Sequence, residues 1–266
     1  MQPNPIKMLW GQGEPVLNGW LSIACPFTAE IMAAQGYDAL TIDLQHGLVG
    51  YETATTMLQA MRASGVAPLV RVPWLDPGAV MRVLDAGAYG VICPMIDSAE
   101  EAQRLVSFVR YPPAGTRSFG PLRVALTASA GDLADYGAHA DDHLLCFAMI
   151  ETAQAVAHVD EIVTVPGLDG IYIGPADLTL GLTGTRYPPG VDREEPELIE
   201  TIQRLLDRAH HAGIRAGLHT ATPAYALRAV EWGFDLVTVS SDVHLLTGAA
   251  HASVQTFRNG HPRQTS

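Results

Sequence analysis

The stretch Gly170-Ile-Tyr-Ile-Gly-Pro-Ala-Asp177 is a short β-rich run that stops at Gly174-Pro175 and carries a carboxylate just beyond the stop. It predicts a strand with Asp177 at its C-terminal end. The run Leu144-Leu-Cys-Phe-Ala-Met-Ile-Glu151 has the same form, because an unbroken apolar segment ends in one carboxylate before a helical segment. If these two strands are neighbours in a parallel sheet, their carboxylates converge and would repel each other unless a cation lies between them. A divalent metal is the simplest resolution.

The same alternation of strand and helix runs through the whole chain. Eight strand-like segments, several of them continuously apolar, predict a parallel sheet buried on both faces. With eight strands and right-handed crossovers, a closed (β/α)8 TIM barrel is favoured, and an open doubly wound sheet is the alternative. The predicted strands cover residues 19–25, 39–46, 68–73, 90–96, 144–150, 170–173, 214–219 and 234–240.

A length of 266 residues suits one large α/β domain. No linker or break in composition divides the chain, so residues 1–266 are predicted to form a single (β/α)8 barrel domain with a C-terminal helical extension that starts near Asp242. The segment from Leu178 to Glu195 is long for a connection and is interpreted as a lid or an oligomer contact.

Composition restricts the function classes. Charged residues make up only 17% of the chain, and no apolar run reaches the length of about 18 residues that a membrane span needs. The segment Met1 to Lys7 lacks the form of a signal peptide, so a cytoplasmic location is expected. The net charge of −12 argues against nucleic acid or an anionic membrane as a partner, because both require a basic face. Small molecules are the expected ligands.

Cysteine and lysine content bears on thiol chemistry and on Schiff-base catalysis. Cys25, Cys93 and Cys146 lie in or beside apolar runs and form no CxxC pair, which favours buried reduced thiols. The only lysine among the 16 basic residues is Lys7, ahead of the first strand. Catalysis through a Schiff base needs a desolvated lysine inside the site. That mechanism is therefore nearly excluded.

Ionisable side chains close five of the eight predicted strands, at the end where barrel enzymes place their active sites. Each has a structural explanation when taken alone, such as a helix N-terminal carboxylate, an ion-pair partner or a satisfied core histidine. Their coincidence at one rim favours a single functional site. The residues are Asp43, His46, Arg71, Glu151, Asp177 and His219.

Six short motifs also stand in a fixed order. They are Ile42-Asp-Leu-Gln-His-Gly47, Val70-Arg-Val-Pro-Trp74, Leu84-Asp-Ala-Gly87, Tyr111-Pro-Pro-Ala-Gly-Thr-Arg117, Ile150-Glu-Thr152 and Gly174-Pro-Ala-Asp-Leu178. Together they resemble the HpcH/HpaI aldolases, which are metal-dependent class II pyruvate aldolases of the phosphoenolpyruvate/pyruvate barrel superfamily. The resemblance extends from about Gly19 to Ala250. One motif alone would be weak, but all six in register make a specific match.

This resemblance implies that Glu151 and Asp177 bind a divalent cation, Mg, Mn or Co, with water and a 2-oxo acid in the remaining positions. Arg71 would hold the ketone oxygen of pyruvate, where charge develops as the metal-bound enolate forms. The substrate carboxylate would be bound by backbone N–H groups of the segment Gly174, Pro175, Ala176 and Asp177.

The resemblance also implies an acid–base group. His46, oriented by Asp43, is similar to the residue that acts through water on the 4-hydroxyl or on the incoming aldehyde. Asp85 matches a further acidic position near that histidine, and Trp20 matches a position near the aldehyde pocket. Since the family commonly assembles as a hexamer, a homo-oligomer is expected.

Three residues depart from the family's pattern. Met149 stands where many members have glutamine, and Gln45 stands where several have glutamate. His219, which we count among the substrate-binding residues, occupies a strand position that is apolar in some members. These departures leave the aldehyde undetermined.

The leading hypothesis is an aldolase that reversibly cleaves a 4-hydroxy-2-oxo acid, of the 4-hydroxy-2-oxoheptanedioate or 2-keto-3-deoxy sugar acid type, to pyruvate and an aldehyde. Cleavage leaves electrons that must spread onto the C2 oxygen, where a metal and a guanidinium stabilise them. The alternative is an acyl-CoA lyase of the malyl-CoA or citrate lyase β type, but coenzyme A needs basic residues for its phosphates. A third possibility is a non-enzymatic, metal-binding barrel that serves only assembly, but it would give Asp43, His46 and Arg71 no function.

Overall fold

A computed structural model of the protein describes residues 3–261. Eight parallel strands pair in chain order, and β8 pairs with β1 to close the sheet into a barrel. The predicted (β/α)8 barrel is therefore confirmed, and the open sheet is excluded. The strands are β1 Val16–Leu21, β2 Ala39–Asp43, β3 Ala67–Arg71, β4 Gly90–Cys93, β5 Leu145–Ile150, β6 Gly170–Ile173, β7 Arg215–Thr220 and β8 Leu236–Ser241.

Helices surround the barrel, and a 3-10 helix, Met61–Ser64, follows α3. Within residues 3–261, none of the helices combines the length and the apolar character that crossing a bilayer requires. The α-helices are α1 Pro5–Gly11, α2 Pro26–Ala33, α3 Tyr51–Ala60, α4 Pro77–Asp85, α5 Ala99–Val109, α6 Leu122–Ala128, α7 Leu133–His143, α8 Ala153–Ala157, α9 Val159–Ile162, α10 Pro175–Thr183, α11 Pro196–His211, α12 Pro223–Trp232 and α13 Asp242–Gly260.

Several element boundaries differ from the predictions, including those of β1 and of the segment after β6. Strand β1 starts at Val16 and ends at Leu21, because Cys25 already serves as the N-cap of α2, with Pro26 at the first helical position. The predicted lid begins with helix instead. Helix α10 starts directly after β6 and continues to Thr183, so the loop in that segment is confined to residues 184–195.

The barrel encloses its own core. Phe147 and Tyr172 are fully buried inside it, and Ile6 and Trp10 of α1 cover its N-terminal end. The rings of Trp10 and Phe147 meet edge to face, with their centroids 6.2 Å apart. A second, larger core lies between the strands and the surrounding helices. Since α1 fills the N-terminal end, the opposite mouth is the open end of the barrel.

Candidate active site

Alternate residues of each strand point into the barrel, so the last inward residue of each strand lies at the C-terminal mouth. The register pairs Asp43 directly with Arg71 across β2 and β3, at the last pair of that ladder. Four of the six predicted rim residues, Asp43, Arg71, Glu151 and His219, lie at the barrel mouth, within a strand or immediately after one. His46 lies in the loop after β2, and Asp177 lies in the first turn of α10. The mouth is formed by Trp20, Asp43, Arg71, Glu151, Gly174 and His219.

Asp43 fixes the guanidinium of Arg71. The Nε of Arg71 donates to Asp43 Oδ1 at 2.8 Å, and its Nη2 donates to Oδ2 at 2.7 Å. Burial alone would raise the pKa of Asp43, but the hydrogen bonds and charge of Arg71 outweigh it and hold that pKa below its ordinary value. The guanidinium carbon also lies 4.9 Å from the ring centroid of Trp20, whose Nε1 donates to Asp43. The positive group is therefore held in one orientation.

The Asp43 side chain does not hydrogen-bond the imidazole of His46 in this structure. Asp43 accepts from the backbone N–H of His46 at 3.3 Å, as it does from Gln45 and Gly47, and its remaining hydrogen bonds are with Arg71 and Trp20. The His46 side chain is exposed on the loop after β2, and no protein group within residues 3–261 hydrogen-bonds its ring. Asp43 thus shapes the loop that carries the histidine.

Glu151 has one satisfied and one unsatisfied oxygen. Its Oε1 accepts the backbone N–H of Met95 at 2.9 Å, while its buried Oε2 has no hydrogen-bond partner within residues 3–261. Burial raises the pKa of Glu151 to about 7, and the nearby negative charge of Asp177 adds to the shift. A Cβ at Gly174 would come within 2.7 Å of Oε2, so glycine keeps the space beside that oxygen open.

These residues fit a divalent cation. A carboxylate oxygen that is buried without a partner, beside a second carboxylate, is costly unless a positive group compensates it. Only Glu151 and Asp177 are available as ligands, and the described residues contain no cluster of three or more His, Cys, Asp or Glu side chains placed to hold a metal. Hard cations such as Mg²⁺ commonly bind through one or two carboxylates and keep several waters, so two ligands suffice.

Asp85 is not part of the mouth. It ends α4, and the C-terminal end of a barrel helix lies toward the N-terminal face of the strands. Its carboxylate pairs with the buried Arg117 at 2.6 Å. Within one chain Asp85 and His46 therefore lie at different faces of the barrel. The order of the motifs does not say at which face each one lies.

Sequence reasoning missed a polar network in the barrel interior. The hydroxyl of Tyr172 lies 3.0 Å from His219 Nδ1 and 2.6 Å from Thr238 Oγ1, and Thr238 in turn contacts Asn18. The network could have been predicted from the alternation of side chains along a strand, which places Asn18 on the same face of β1 as Trp20. That signal was lost because the predicted strand began at Gly19.

The departures at positions 45 and 149 have different surroundings. Met149 is buried, and its Cε would lie 2.5 Å from a Cβ at Gly174, so it packs where a polar side chain was expected. Gln45 Oε1 is buried and has no hydrogen-bond partner within residues 3–261.

Lys7 lies far from the mouth. It belongs to α1 at the N-terminal end, where its Nζ donates to the carbonyl of Asp142 at 2.7 Å and lies 3.4 Å from Asp169. No other lysine exists in the sequence. The site therefore contains no amine for a Schiff base.

Comparison with known proteins gives a consistent result. The family model described as HpcH/HpaI aldolase/citrate lyase matches residues 18–249. The hydroxypyruvate/pyruvate aldolase of Rhizorhabdus wittichii is 40% identical over 255 residues, covering 96% of this chain and 99% of that protein. The 2-keto-3-deoxy-L-rhamnonate aldolase of Klebsiella pneumoniae is 35% identical, covering 96% and 94%. A crystal structure of an HpcH/HpaI aldolase/citrate lyase family protein from Burkholderia cenocepacia superposes with a TM-score of 0.86 at 31% identity, covering 95% and 98%.

Proposed function

Because the chain belongs to the HpcH/HpaI aldolase/citrate lyase family, we propose that it reversibly cleaves a 4-hydroxy-2-oxo acid to pyruvate, or to hydroxypyruvate, and an aldehyde. Its relatives are named aldolases, and the protein is a carbon–carbon lyase that acts on small molecules. Members of the family generally depend on a divalent metal. The observation that carries the proposal is the fixed guanidinium of Arg71 at the same mouth as the partnerless oxygen of Glu151.

Glu151 and Asp177 are the residues that would hold the cation. When bound, it would supply Lewis-acid polarisation of the 2-oxo group. The negative charge of the site supports this assignment. Two neighbouring carboxylates would repel the substrate carboxylate unless a positive charge lies between them.

Arg71 stabilises charge on the substrate. Carbon–carbon cleavage leaves an electron pair at C3, which delocalises onto the C2 oxygen as an enolate. A guanidinium fixed by two hydrogen bonds to Asp43 needs no reorganisation when this charge develops, and preorganised donors of this kind contribute strongly to catalysis. The ring of Trp20 also packs against the guanidinium, with the guanidinium carbon 4.9 Å from the ring centroid.

The start of α10 binds the substrate carboxylate in this proposal. Gly174 is its N-cap and Pro175 its first residue, so the N–H groups of Ala176 and Asp177 stand in the first turn, where an α-helix leaves them without a helical partner. Such helix N-termini favour anions. The substrate would then lie with its carboxylate on α10 and its C2 oxygen towards Arg71.

His46 moves the proton at the other half of the substrate. In the cleavage direction the C4 hydroxyl must lose its proton as the C3–C4 bond breaks, and in the aldol direction the new alkoxide must gain one. An exposed imidazole on the loop after β2 can exchange that proton with solvent, directly or through one water.

The test is an aldol and cleavage panel on the purified enzyme. We expect pyruvate formation from 4-hydroxy-2-oxo acids, loss of activity with EDTA and recovery with Mg, Mn or Co. Borohydride with pyruvate present should not inactivate the enzyme, because Lys7 lies at the opposite end of the barrel. Trapping of a covalent pyruvate adduct by borohydride, or cleavage that EDTA leaves untouched, would contradict the proposal.

We also propose that residues 1–266 form one barrel domain with a helical extension, that the enzyme works in the cytoplasm and that it assembles as a homo-oligomer. Free thiols at Cys25, Cys93 and Cys146 would suit a reducing compartment.

A further inference from the structure

His219 presents one free ring nitrogen to the mouth. Its Nδ1 lies 3.0 Å from the hydroxyl of Tyr172, and its ring meets that of Trp20 edge to face with the centroids 4.7 Å apart. Among residues 3–261, no protein group hydrogen-bonds its Nε2, and the side chain is half-buried rather than enclosed. The ring is therefore fixed on one side and open to a ligand on the other.

Hydrogen-bond donors and acceptors in the barrel interior determine which nitrogen carries the proton. The amide of Asn18, oriented from its hydrogen-bond network, donates from Nδ2 to the carbonyls of Gly19 at 3.3 Å and Ala39 at 3.2 Å. Its Oδ1 then accepts from the hydroxyl of Thr238 at 2.8 Å. The single proton of Thr238 is used in this bond, so its oxygen must accept from the next group in the chain.

That next group is Tyr172, whose hydroxyl lies 2.6 Å from Thr238 Oγ1. Having donated its one proton there, the phenol oxygen can only accept from His219 Nδ1, which must therefore carry a hydrogen. In a neutral imidazole the other nitrogen then has a lone pair. The interior network thus makes Nε2 of His219 a hydrogen-bond acceptor that faces the mouth.

The electrostatic surroundings keep this ring neutral. Burial lowers the pKa of His219 to about 4, and the positive charge of Arg71 contributes in the same direction. The negative charge of Asp43 opposes the shift, and His244 adds a smaller lowering effect. At neutral pH the ring is uncharged and its lone pair remains available.

We propose that His219 determines specificity by accepting, at Nε2, a hydrogen bond from a hydroxyl group of the substrate, and that Tyr172, Thr238 and Asn18 hold it in the required tautomer. The proposal rests on the aldolase function above. Carbonyl and carboxylate oxygens are acceptors and gain nothing from a second acceptor, so the donor on a hydroxylated 2-oxo acid or aldehyde must be a hydroxyl.

Such a hydroxyl can belong to either half of the reaction. It is the C3 hydroxyl in hydroxypyruvate, which pyruvate lacks, or the C2 hydroxyl in glycolaldehyde, which acetaldehyde lacks. Two ratios of kcat/KM separate these sources. One compares hydroxypyruvate with pyruvate at a fixed aldehyde, and the other compares glycolaldehyde with acetaldehyde at a fixed 2-oxo acid.

In His219→Leu we expect one of these ratios to fall by about tenfold, the order expected for a single lost neutral hydrogen bond at a partly solvated site. His219→Gln should retain part of that preference, because its amide oxygen can accept. Tyr172→Phe removes the group that fixes the tautomer and should weaken the same ratio. His211→Leu, on the exposed end of α11, is the matched control and should keep both ratios.

Two results would overturn the proposal. The first is a folded His219→Leu enzyme in which both ratios stay within about twofold of wild type. The second is a neutral Nε2–H tautomer, read from the ¹⁵N shifts and two-bond couplings of labelled histidine and assigned by comparison with His219→Gln. The tautomer measurement needs no turnover, so it tests the network even if the protein lacks aldolase activity, whereas failure of every aldol reaction would count against the proposed function alone.

Discussion

Arg71 and Asp43 form a single unit, so removing the arginine should harm both chemistry and folding. We expect Arg71→Ala to lower kcat/KM for cleavage by about 10²- to 10³-fold, the range for one lost oxyanion donor, and to suppress solvent exchange of the pyruvate methyl protons as well. It also leaves Asp43 buried without its partner, which should destabilise the fold by about 3 kcal/mol. Proton NMR and urea unfolding measure the two effects. Arg82→Ala, whose guanidinium stacks on Tyr51, is the control, and rapid methyl exchange in Arg71→Ala would contradict the assigned role.

His46 should behave differently, because its side chain is exposed and, in the proposed mechanism, acts only on the aldehyde half of the substrate. His46→Ala should depress cleavage by about 10²-fold or more, while methyl exchange, bound metal and unfolding midpoint stay near wild-type values. Comparison of exchange and cleavage rates in the same preparation makes this distinction. Equal losses in both rates would place His46 on the pyruvyl half instead.

The half-buried ring of His219 predicts a pH effect on stability. Its pKa falls from 6.5 in the unfolded chain to about 4 in the folded protein, so the unfolded state binds more protons between these values and folding weakens as pH falls from about 6.5 towards 4. Between pH 7 and pH 5 this one residue should cost about 2 kcal/mol. His219→Gln should lose that part of the pH dependence. Urea unfolding of both proteins at the two pH values measures the difference, and identical pH dependence would show that the ring titrates normally.

At the scale of elements, the sequence predicted those boundaries that local chemistry marks. Strand β6 was placed without error because Gly170 and the Gly174-Pro175 stop bound it on both sides. The location of Glu151 and Asp177 at neighbouring strand ends followed from the same reasoning. The contact from Met95 to Glu151 could not be predicted, since it depends on a left-handed backbone at Met95, with φ of 56°, in a residue type that rarely adopts it.

The junction of β6 and α10 gives a prediction about one hydrogen-to-methyl change. In Gly174→Ala the new Cβ would come within 2.5 Å of Met149 Cε and 2.7 Å of Glu151 Oε2. The methionine can move, but displacing the carboxylate would disturb the cation site proposed for Glu151 and Asp177. We expect weaker binding of Mn²⁺ by equilibrium dialysis, with the barrel still folded. Gly11→Ala, which meets no atom within 4 Å, should bind as wild type does. Unchanged binding in Gly174→Ala would place the cation elsewhere.

At the scale of the whole molecule, α13 is a helix that packs little against the barrel. A helix after β8 would ordinarily cover the seam between β8 and β1. Here the side chains of α13 beyond Asp242 are almost all exposed, and the outward-facing Leu17 of β1, paired in register with Val237 of β8, is 39% exposed. Phe27 and Ile31 of the neighbouring α2 are exposed as well.

The same helix carries one apolar stripe, formed by Val243, Leu246, Ala250, Val254 and Phe257, which recur at helical spacing on one face. One copy of the chain thus has both an uncovered apolar seam and an uncovered apolar helix. We expect α13 of one copy to cover the seam of another, since burying both removes exposed apolar surface that a lone monomer rarely tolerates.

This expectation can be tested by placing charges on the stripe. Leu246→Glu combined with Phe257→Glu should convert the proposed homo-oligomer to smaller species in sedimentation velocity, because each glutamate would be desolvated at the contact. These side chains are exposed and do not belong to the barrel core, so the circular dichroism spectrum should remain that of the wild type. The matched control, His251→Glu combined with Gln255→Glu, changes exposed residues on another face of the same helix and should keep the wild-type sedimentation coefficient. A monomeric wild-type protein, or equal sedimentation of both variants with the wild type, would exclude α13 as the contact between copies.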